Sequence, residues 1–358
     1  MGIAMNSEPS SSAPVAAGRR RSRWLRRLLG VLAAVVALLV AGAGWVVYQN
    51  TYDIREEQVT ITGGAQPLKG VLARPAGGRG PYGLVVFVHG DGPIDATHET
   101  FYRPAWEAFA RAGYASLSWN KPGLAGAPGN WLHQSMEDRA QETMAAIAWA
   151  KRLPDIDPAR IGLWGASQAG WVLPKVAARM PELKFVVAVS PAINWLRQGR
   201  YNLLAELRQR NASQEEIRAA TARSDTTREH LRKGSTFERY RAAVGDVDGI
   251  TADRWRFILA NYTADASEDL ARMRTPVLLM LGGHDVNVDV AETEATYRRL
   301  LRRPGQLQVR RYPGATHSMV PRDVEDSEIK ALVLALAAPR SLSAEGYLDD
   351  LRRYAAGR

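Results

Sequence analysis

The sequence predicts a doubly wound, mainly parallel α/β sheet. Two observations carry that expectation. Near-continuous apolar runs such as "YGLVVFVHG" (82–90) end in glycine, as strands covered on both faces do. From about residue 55 such runs alternate with helical stretches, the rhythm of a parallel sheet with helices on both sides. With 46% apolar residues over 358 positions, the chain can build one large domain with an insertion, or two small ones.

The N-terminal residues stand outside that rhythm. "MGIAMNSEPSSSAPVAAG" is small and polar and lacks the apolar area for a core, so it reads as disordered. With the arginines that follow, residues 1–27 form a disordered basic tail. Residues 28–48, "LLGVLAAVVALLVAGAGWVVY", carry no charge. At ~1.5 Å per residue, a run of that length spans about one bilayer core. No polar face interrupts it, which argues against a buried soluble helix. Arg19, Arg20, Arg21, Arg23, Arg26 and Arg27 all precede it, and Trp45 and Tyr48 sit at its far end. The expectation is a signal-anchor helix in the lipid bilayer, with a cytoplasmic N-terminus and an exported remainder. The rival is a signal peptide cleaved near "AGAG" at 41–44, which would make the protein secreted.

The elements follow in order. "QVTIT" and "LKGVLARP" read as an antiparallel pair. "YGLVVFVHG" and "YASLSWN" are the next strands. "SMEDRAQETMAAIAWAKRL" is a helix that Ser135 and Asp138 open as a capping box. "RIGLWG", "KFVVAVS", "PVLLMLGG" and "QLQVRRYPG" complete the strands. Between "KFVVAVS" and "PVLLMLGG" no strand signal appears, and the stretch is rich in Arg, Glu, Ala and Leu. Residues 193–267 are therefore expected to be a helical insertion that caps the site, with 49–192 and 268–358 as the core.

Charge and composition exclude several classes. The net charge is +10, and the basic tail holds much of it. No zinc-finger or RNA-binding signature accompanies that charge, so no nucleic-acid partner is expected. The chain has no cysteine, which rules out disulfides, a cysteine nucleophile and thiolate metal sites. "DVNVDV" alternates oxygen ligands but lacks the glycine and distal glutamate of a calcium loop. No metal and no organic cofactor are expected.

Functional groups of a parallel sheet collect at the carboxyl ends of its strands. Ser167 follows "IGLWG", with Gly165 and Ala169 as the small neighbours that a nucleophile on a strained strand-to-helix turn requires. The alternative is an ordinary serine N-cap. Asp285 follows "VLLMLGG" and is the candidate acid, with Asp289 as the second choice because it can equally cap the next helix. His317 in "PGATHSM" is the candidate base, and the chain order Ser, Asp, His raises it above a surface histidine. "HGDG" after "LVVFV" offers backbone N–H groups. That of Gln168 and one from Asp91 or Gly92 would form an oxyanion hole. His89 is expected to be a buried structural hydrogen-bonder, and the Asp91 side chain to point away from the hole. His98, His133 and His230 have no catalytic context, and His284 shapes its loop.

"VVFVHGDGP", "GLWGASQAGW", "LLMLGGHD" and "GATHSM", in this order, resemble the α/β-hydrolase superfamily. Within it the chain is similar to bacterial serine esterases of the dienelactone-hydrolase-like and acyl-thioesterase-like branches, over about residues 55–320. The resemblance implies an α/β-hydrolase fold and the triad Ser167–Asp285–His317. It also implies an acyl-enzyme route on a small-molecule ester or thioester. A peptidase or aminopeptidase on the same triad, or a catalytically silent tethered binding module, are the alternatives. Three departures stand out. Ala169 replaces the usual glycine, Pro174 falls inside the expected helix 168–180 and should kink it, and "WNKPGLAG" lacks the Asp and Arg that relatives place around Asn120–Pro122.

Overall fold

The computed structural model describes residues 17–245 and 249–357. It divides into two units, one ending at Thr51 and one running from Tyr52 onward. The first holds α1 (Ala17–Asn50), of which Trp24–Asn50 is long and apolar enough to cross a membrane. The disordered tail expected over 1–27 is corrected for 17–27. Those residues continue the same helix, because Arg, Leu and Ala favour helix and no proline intervenes. Residues 1–16 lie outside the described residues.

The second unit opens with β1 (Ile54–Ile61), β2 (Leu68–Pro75), β3 (Tyr82–Val88), α2 (Arg103–Ala110), β4 (Tyr114–Trp119), α3 (Met136–Ala150) and β5 (Ile156–Ala166). α4 (Leu173–Arg179), β6 (Phe185–Val189), α5 (Trp195–Gln209), α6 (Gln214–Arg232), α7 (Phe237–Val244), α8 (Ala252–Asn261) and α9 (Ser267–Arg272) come next. β7 (Val277–Gly282), α10 (Val290–Leu300), β8 (Leu307–Tyr312), α11 (Arg322–Glu325), α12 (Glu328–Ala337) and α13 (Tyr347–Ala355) close the chain. The strands form one sheet in the order β1-β2-β4-β3-β5-β6-β7-β8. β1 and β2 pair antiparallel, as do β2 and β4, and every later pairing is parallel. β3, β5, β6 and β7 are the apolar central strands, and both of their faces are covered. Ile147 of α3, Val176 of α4, Leu270 of α9 and Tyr297 of α10 pack one face. Trp106 and Phe109 of α2 and Leu351 of α13 pack the other.

Local signals account for the helix starts. Ser135 accepts from the Asp138 N–H, while Asp138 accepts from the Ser135 N–H, closing the capping box of α3. The continuous helix expected over 168–180 is corrected. Ser167–Trp171 is a 3₁₀ turn, and α4 then starts afresh with Pro174 in its first turn. A proline there gives up no helical hydrogen bond, so the predicted kink is a break between two short helices.

Residues 193–267 fold as α5 to α8 and the turn into α9, with no strand among the described residues. Among the described residues, several of their apolar side chains have partners beside the sheet and within the insertion, while Tyr201 and Ala205 line a cavity with Asp285 and His317. Trp195 stacks on Trp171 at 4.8 Å, and Phe257 meets Trp131 at 5.5 Å. Leu231, Tyr240 and Trp255 build a small core of their own, with Tyr240 and Trp255 stacked at 4.0 Å. Part of each amphipathic face is thus satisfied beside the site and inside the insertion. The side chain of Asn261 ties the insertion to the core: it accepts from the Met136 N–H and donates to the Gln134 carbonyl.

Candidate active site

β5 delivers Ser167 with φ = +55°, a left-handed backbone that costs a non-glycine residue ~1–3 kcal/mol. The turn is held by its surroundings. A Cβ at Gly165 would lie 2.7 Å from the Ala169 Cβ and 2.9 Å from the Val88 carbonyl, so only glycine fits there. The Ala192 N–H donates to the Ser167 carbonyl at 3.1 Å and pins the turn to the chain after β6. Ala169 is fully buried, and its methyl group packs in the core beside the turn.

β7 and β8 deliver the other two predicted groups. His317 Nδ1 and Asp285 Oδ2 are 2.8 Å apart. Asp285 Oδ1 accepts from the N–H groups of Asn287 and Val288, both at 2.8 Å. The carboxylate is therefore oriented by its own loop. Asp289, the second choice, instead caps α10 by accepting from Ala291 and Glu292 N–H. Ser167 and His317 line one cavity of about 260 Å³, with Ile94, Phe101, Trp164 and Tyr347 among its apolar walls. Among the described residues, none from 193–267 lines it.

The loop after β3 forms the facing wall. Gln168 is the second residue of its 3₁₀ turn, so its N–H has no helical acceptor. The Asp91 carboxylate is taken up by Arg254 of α8 through contacts of 2.9 and 2.5 Å, and by Gln168 Nε2 at 3.1 Å. Burial raises the pKa of this carboxyl, but the Arg254 guanidinium and the Gly92 N–H outweigh it and hold the group below its ordinary value. The N–H groups of Gln168, Asp91 and Gly92 are the candidate oxyanion donors at this wall.

His89 is buried between Tyr102 Oη (3.0 Å) and the Trp119 carbonyl (2.5 Å). Burial, then the Lys121 charge, pushes its pKa well down, so it stays neutral. His98, which had no catalytic context in the sequence, lines the cavity. It opens a left-handed run, His98, Glu99 and Thr100, with φ of 50°, 51° and 79°, and its Nδ1 is buried with no partner. His284 is exposed, and its Nδ1 lies 3.3 Å from Arg322.

The family model described as serine aminopeptidase, S33, matches residues 79–325. The chain belongs to that family, within the α/β-hydrolase superfamily. An uncharacterized peptidase of Bacillus subtilis, YuxL, is 28% identical over 160 residues, 42% of this chain but 24% of that protein, so the match spans about a quarter of that relative's length. An esterase of Pyrococcus furiosus superposes with a TM-score of 0.51 at 17% identity, covering 79% of this chain and 90% of that one. An acylaminoacyl peptidase of Pyrococcus horikoshii gives 0.50 at 13% identity, covering 87% and 42%. At these identities the two solved structures speak for the fold.

Three cations of this S33-family hydrolase escaped the sequence reading. Lys121, in the departing segment "WNKPGLAG", donates to the carbonyls of Gly90 (2.6 Å) and Gly92 (2.8 Å). Burial first, and the Arg139 charge second, depress its pKa well below that of a free lysine. Arg139 of α3 donates to the His89 carbonyl at 2.5 Å and to Gln168 Oε1 at 2.6 Å. Arg254 is the third. The signal in the sequence was weak: the departure of "WNKPGLAG" from the pattern that the resemblance implies.

Proposed function

We propose that the chain is a serine hydrolase of carboxylic esters or thioesters, acting through Ser167, His317 and Asp285. His317 takes the Ser167 proton at Nε2 as Oγ attacks the acyl carbon, and Asp285 holds the Nδ1 proton and steadies the imidazolium. The oxyanion is met by the N–H group of Gln168 and that of Asp91 or Gly92. His317 then returns the proton to the leaving alkoxide or thiolate. It next activates water, which breaks the acyl–Oγ bond and releases the acid. One observation favours ester over aminoacyl substrates. Among the described residues, Asp91 is the one carboxylate that lines the cavity at Ser167, and Arg254 already neutralises it. We further propose that α1 is a signal anchor that holds the catalytic unit outside the cytoplasm.

The test uses the full chain in detergent against p-nitrophenyl esters, acyl-CoA thioesters and aminoacyl amides, with fluorophosphonate labelling mapped by mass spectrometry. The expected result is label on Ser167 and turnover of ester or thioester ahead of amide. Preference for aminoacyl amides would return the peptidase reading, and absence of both label and turnover would leave a binding module.

A further inference from the structure

α12 contains no buried residue. Its Ile329, Leu332, Val333 and Leu336 are 77%, 61%, 54% and 64% exposed. Among the described residues, every exposed large apolar side chain outside α1 belongs to this helix. Their spacing of i, i+3, i+4 and i+7 places them on a single stripe. Ser327 caps the helix by accepting from the Lys330 N–H, so the stripe is presented by a formed element. A contiguous apolar stripe of this kind marks a surface that something covers.

The catalytic unit itself indicates what covers it. Its first residue, Tyr52, lies under the Arg340 guanidinium at 4.5 Å from the ring centre. Arg340 bonds both oxygens of Glu107 at 2.9 Å, and Glu107 also accepts from the Asp53 N–H at 3.1 Å. Arg340 comes three residues after Ala337, the last residue of α12. The point where the chain arrives from α1 and the end of α12 therefore share one edge of the catalytic unit. Only Thr51 lies between the end of α1 and Tyr52. Behind the stripe, Ala331, Ala335, Pro339 and Leu342 form one wall of a second cavity, of about 810 Å³. That cavity shares Asp91, Ile94, His98, Phe101 and Ser318 with the cavity at Ser167.

We infer that the α12 stripe sits in the acyl layer of the membrane that α1 spans, and that the substrate is an acyl ester of that lipid phase, drawn along the groove behind α12 to Ser167. The inference rests on the reading of Ser167 as an ester-cleaving nucleophile and of α1 as an anchor. It adds the lipid surface and the class of substrate.

Because the chain has no cysteine, Leu332→Cys gives one labelling site for an environment-sensitive fluorophore. The full chain is reconstituted into phosphatidylcholine–phosphatidylglycerol vesicles, with or without brominated acyl chains. Brominated lipid should quench the label at 332 and leave a label at Glu215→Cys in α6 unchanged. Full access of aqueous iodide to 332 without lipid quenching overturns the proposal. So does cross-linking of 332 to a second copy, or failure of the chain to float with the vesicles. In parallel, Leu332→Glu/Leu336→Glu should hydrolyse dispersed p-nitrophenyl acetate as the unmodified chain does, and a vesicle-embedded long-chain ester about tenfold more slowly. Equal rates on the vesicle ester sink the substrate half of the inference. If the unmodified chain cleaves no ester in either form, the reading of Ser167 has failed instead, whatever the label reports.

Discussion

The two walls of the site are held by different physics. On the β7–β8 side, the Asp285 carboxylate is set by N–H groups two and three residues along its own loop, and His317 leans on it. On the β3 side, the loop 89–92 is tied down by ammonium and guanidinium groups from far along the chain. Lys121 holds two of its carbonyls, Arg139 a third, and Arg254 of α8 its carboxylate. The first wall needs a strand end and a short loop. The second needs three buried or half-buried cations, each of which gives up hydration for one set of acceptors. Substitutions in the two walls should therefore fail differently: in proton transfer on one side, in loop placement on the other.

The largest effects belong to the first wall. Ser167→Ala, His317→Ala and Asp285→Ala should each lower kcat by about 10⁴-fold or more, and the double variants should add little. Asp289→Ala should leave kcat near that of the unmodified chain and cost ~1 kcal/mol of stability through loss of the α10 cap. Steady-state kinetics and thermal melts of the four variants check this. A collapse of turnover in Asp289→Ala with Asp285→Ala active would reverse the assignment.

The next effect belongs to the second wall. Arg254→Met leaves Asp91 charged beside the proposed oxyanion site. Since one lost oxyanion contact costs about 10²-fold, kcat should fall by about that order. Asp91→Asn in the same chain should restore much of it, because the stranded charge is then gone. The pH dependence has a definite sign. Arg254 holds the Asp91 pKa below its ordinary value against burial, so the pair's stabilisation is present above the ordinary carboxylate range and lost as pH falls through the depressed pKa. The stability gap between Arg254→Met and the unmodified chain should thus be widest near neutral pH and close on acidification. A gap independent of pH would show that Arg254 acts through packing alone.

The same contrast explains what the sequence made legible. Strands β3, β5, β6 and β7 announce themselves because residues covered on both faces must be apolar, and the strand ends then order Ser167, Asp285 and His317 along the chain. Asp289 separated from Asp285 only in the structure, because both sit in one loop and either could cap α10. Lys121, Arg139 and Arg254 were illegible because a cation reads as a surface residue until its acceptors are known, and those acceptors lie 29 to 163 positions away. The insertion was read as helical from its composition. Where its apolar side chains would go was not readable, since Trp171 and Trp131 compete with the cavity for them. The stripe on α12 was missed for the same reason: an apolar run does not announce that it is left uncovered.

Lys121→Met should have a smaller effect, near tenfold on kcat. It leaves the Gly90 and Gly92 carbonyls without their donor, at ~1–3 kcal/mol of stability. Its signature is again in pH. Because burial lowers the Lys121 pKa, the unfolded chain binds the extra proton between that depressed value and the ordinary one near ~10.4, so stability rises with pH across the window. The variant should lose that rise. Urea titrations at several alkaline pH values would detect it, and an unchanged slope would mean that Lys121 stays charged in the fold.

The smallest effect tests whether the insertion governs the substrate. Tyr201 of α5 donates to the Asp285 carbonyl at 3.0 Å, while Gln198 and Asn202 donate to the carbonyls of Asn287 and Val286 at 2.8 and 3.2 Å. These contacts brace the acid loop from outside and supply no wall to the cavity at Ser167. Tyr201→Phe removes one neutral hydrogen bond, worth ~1 kcal/mol, so kcat should drop no more than about fivefold and the ranking of acyl chain lengths should stay fixed. Phe101→Ala, by contrast, opens the cavity wall itself, and the ranking should move toward longer acyl groups even where kcat for the best substrate hardly changes. The two variants separate a brace from a pocket. A shifted ranking in Tyr201→Phe would mean that α5 reaches the acyl chain in the working enzyme, and the insertion would regain the role of a cap over Ser167.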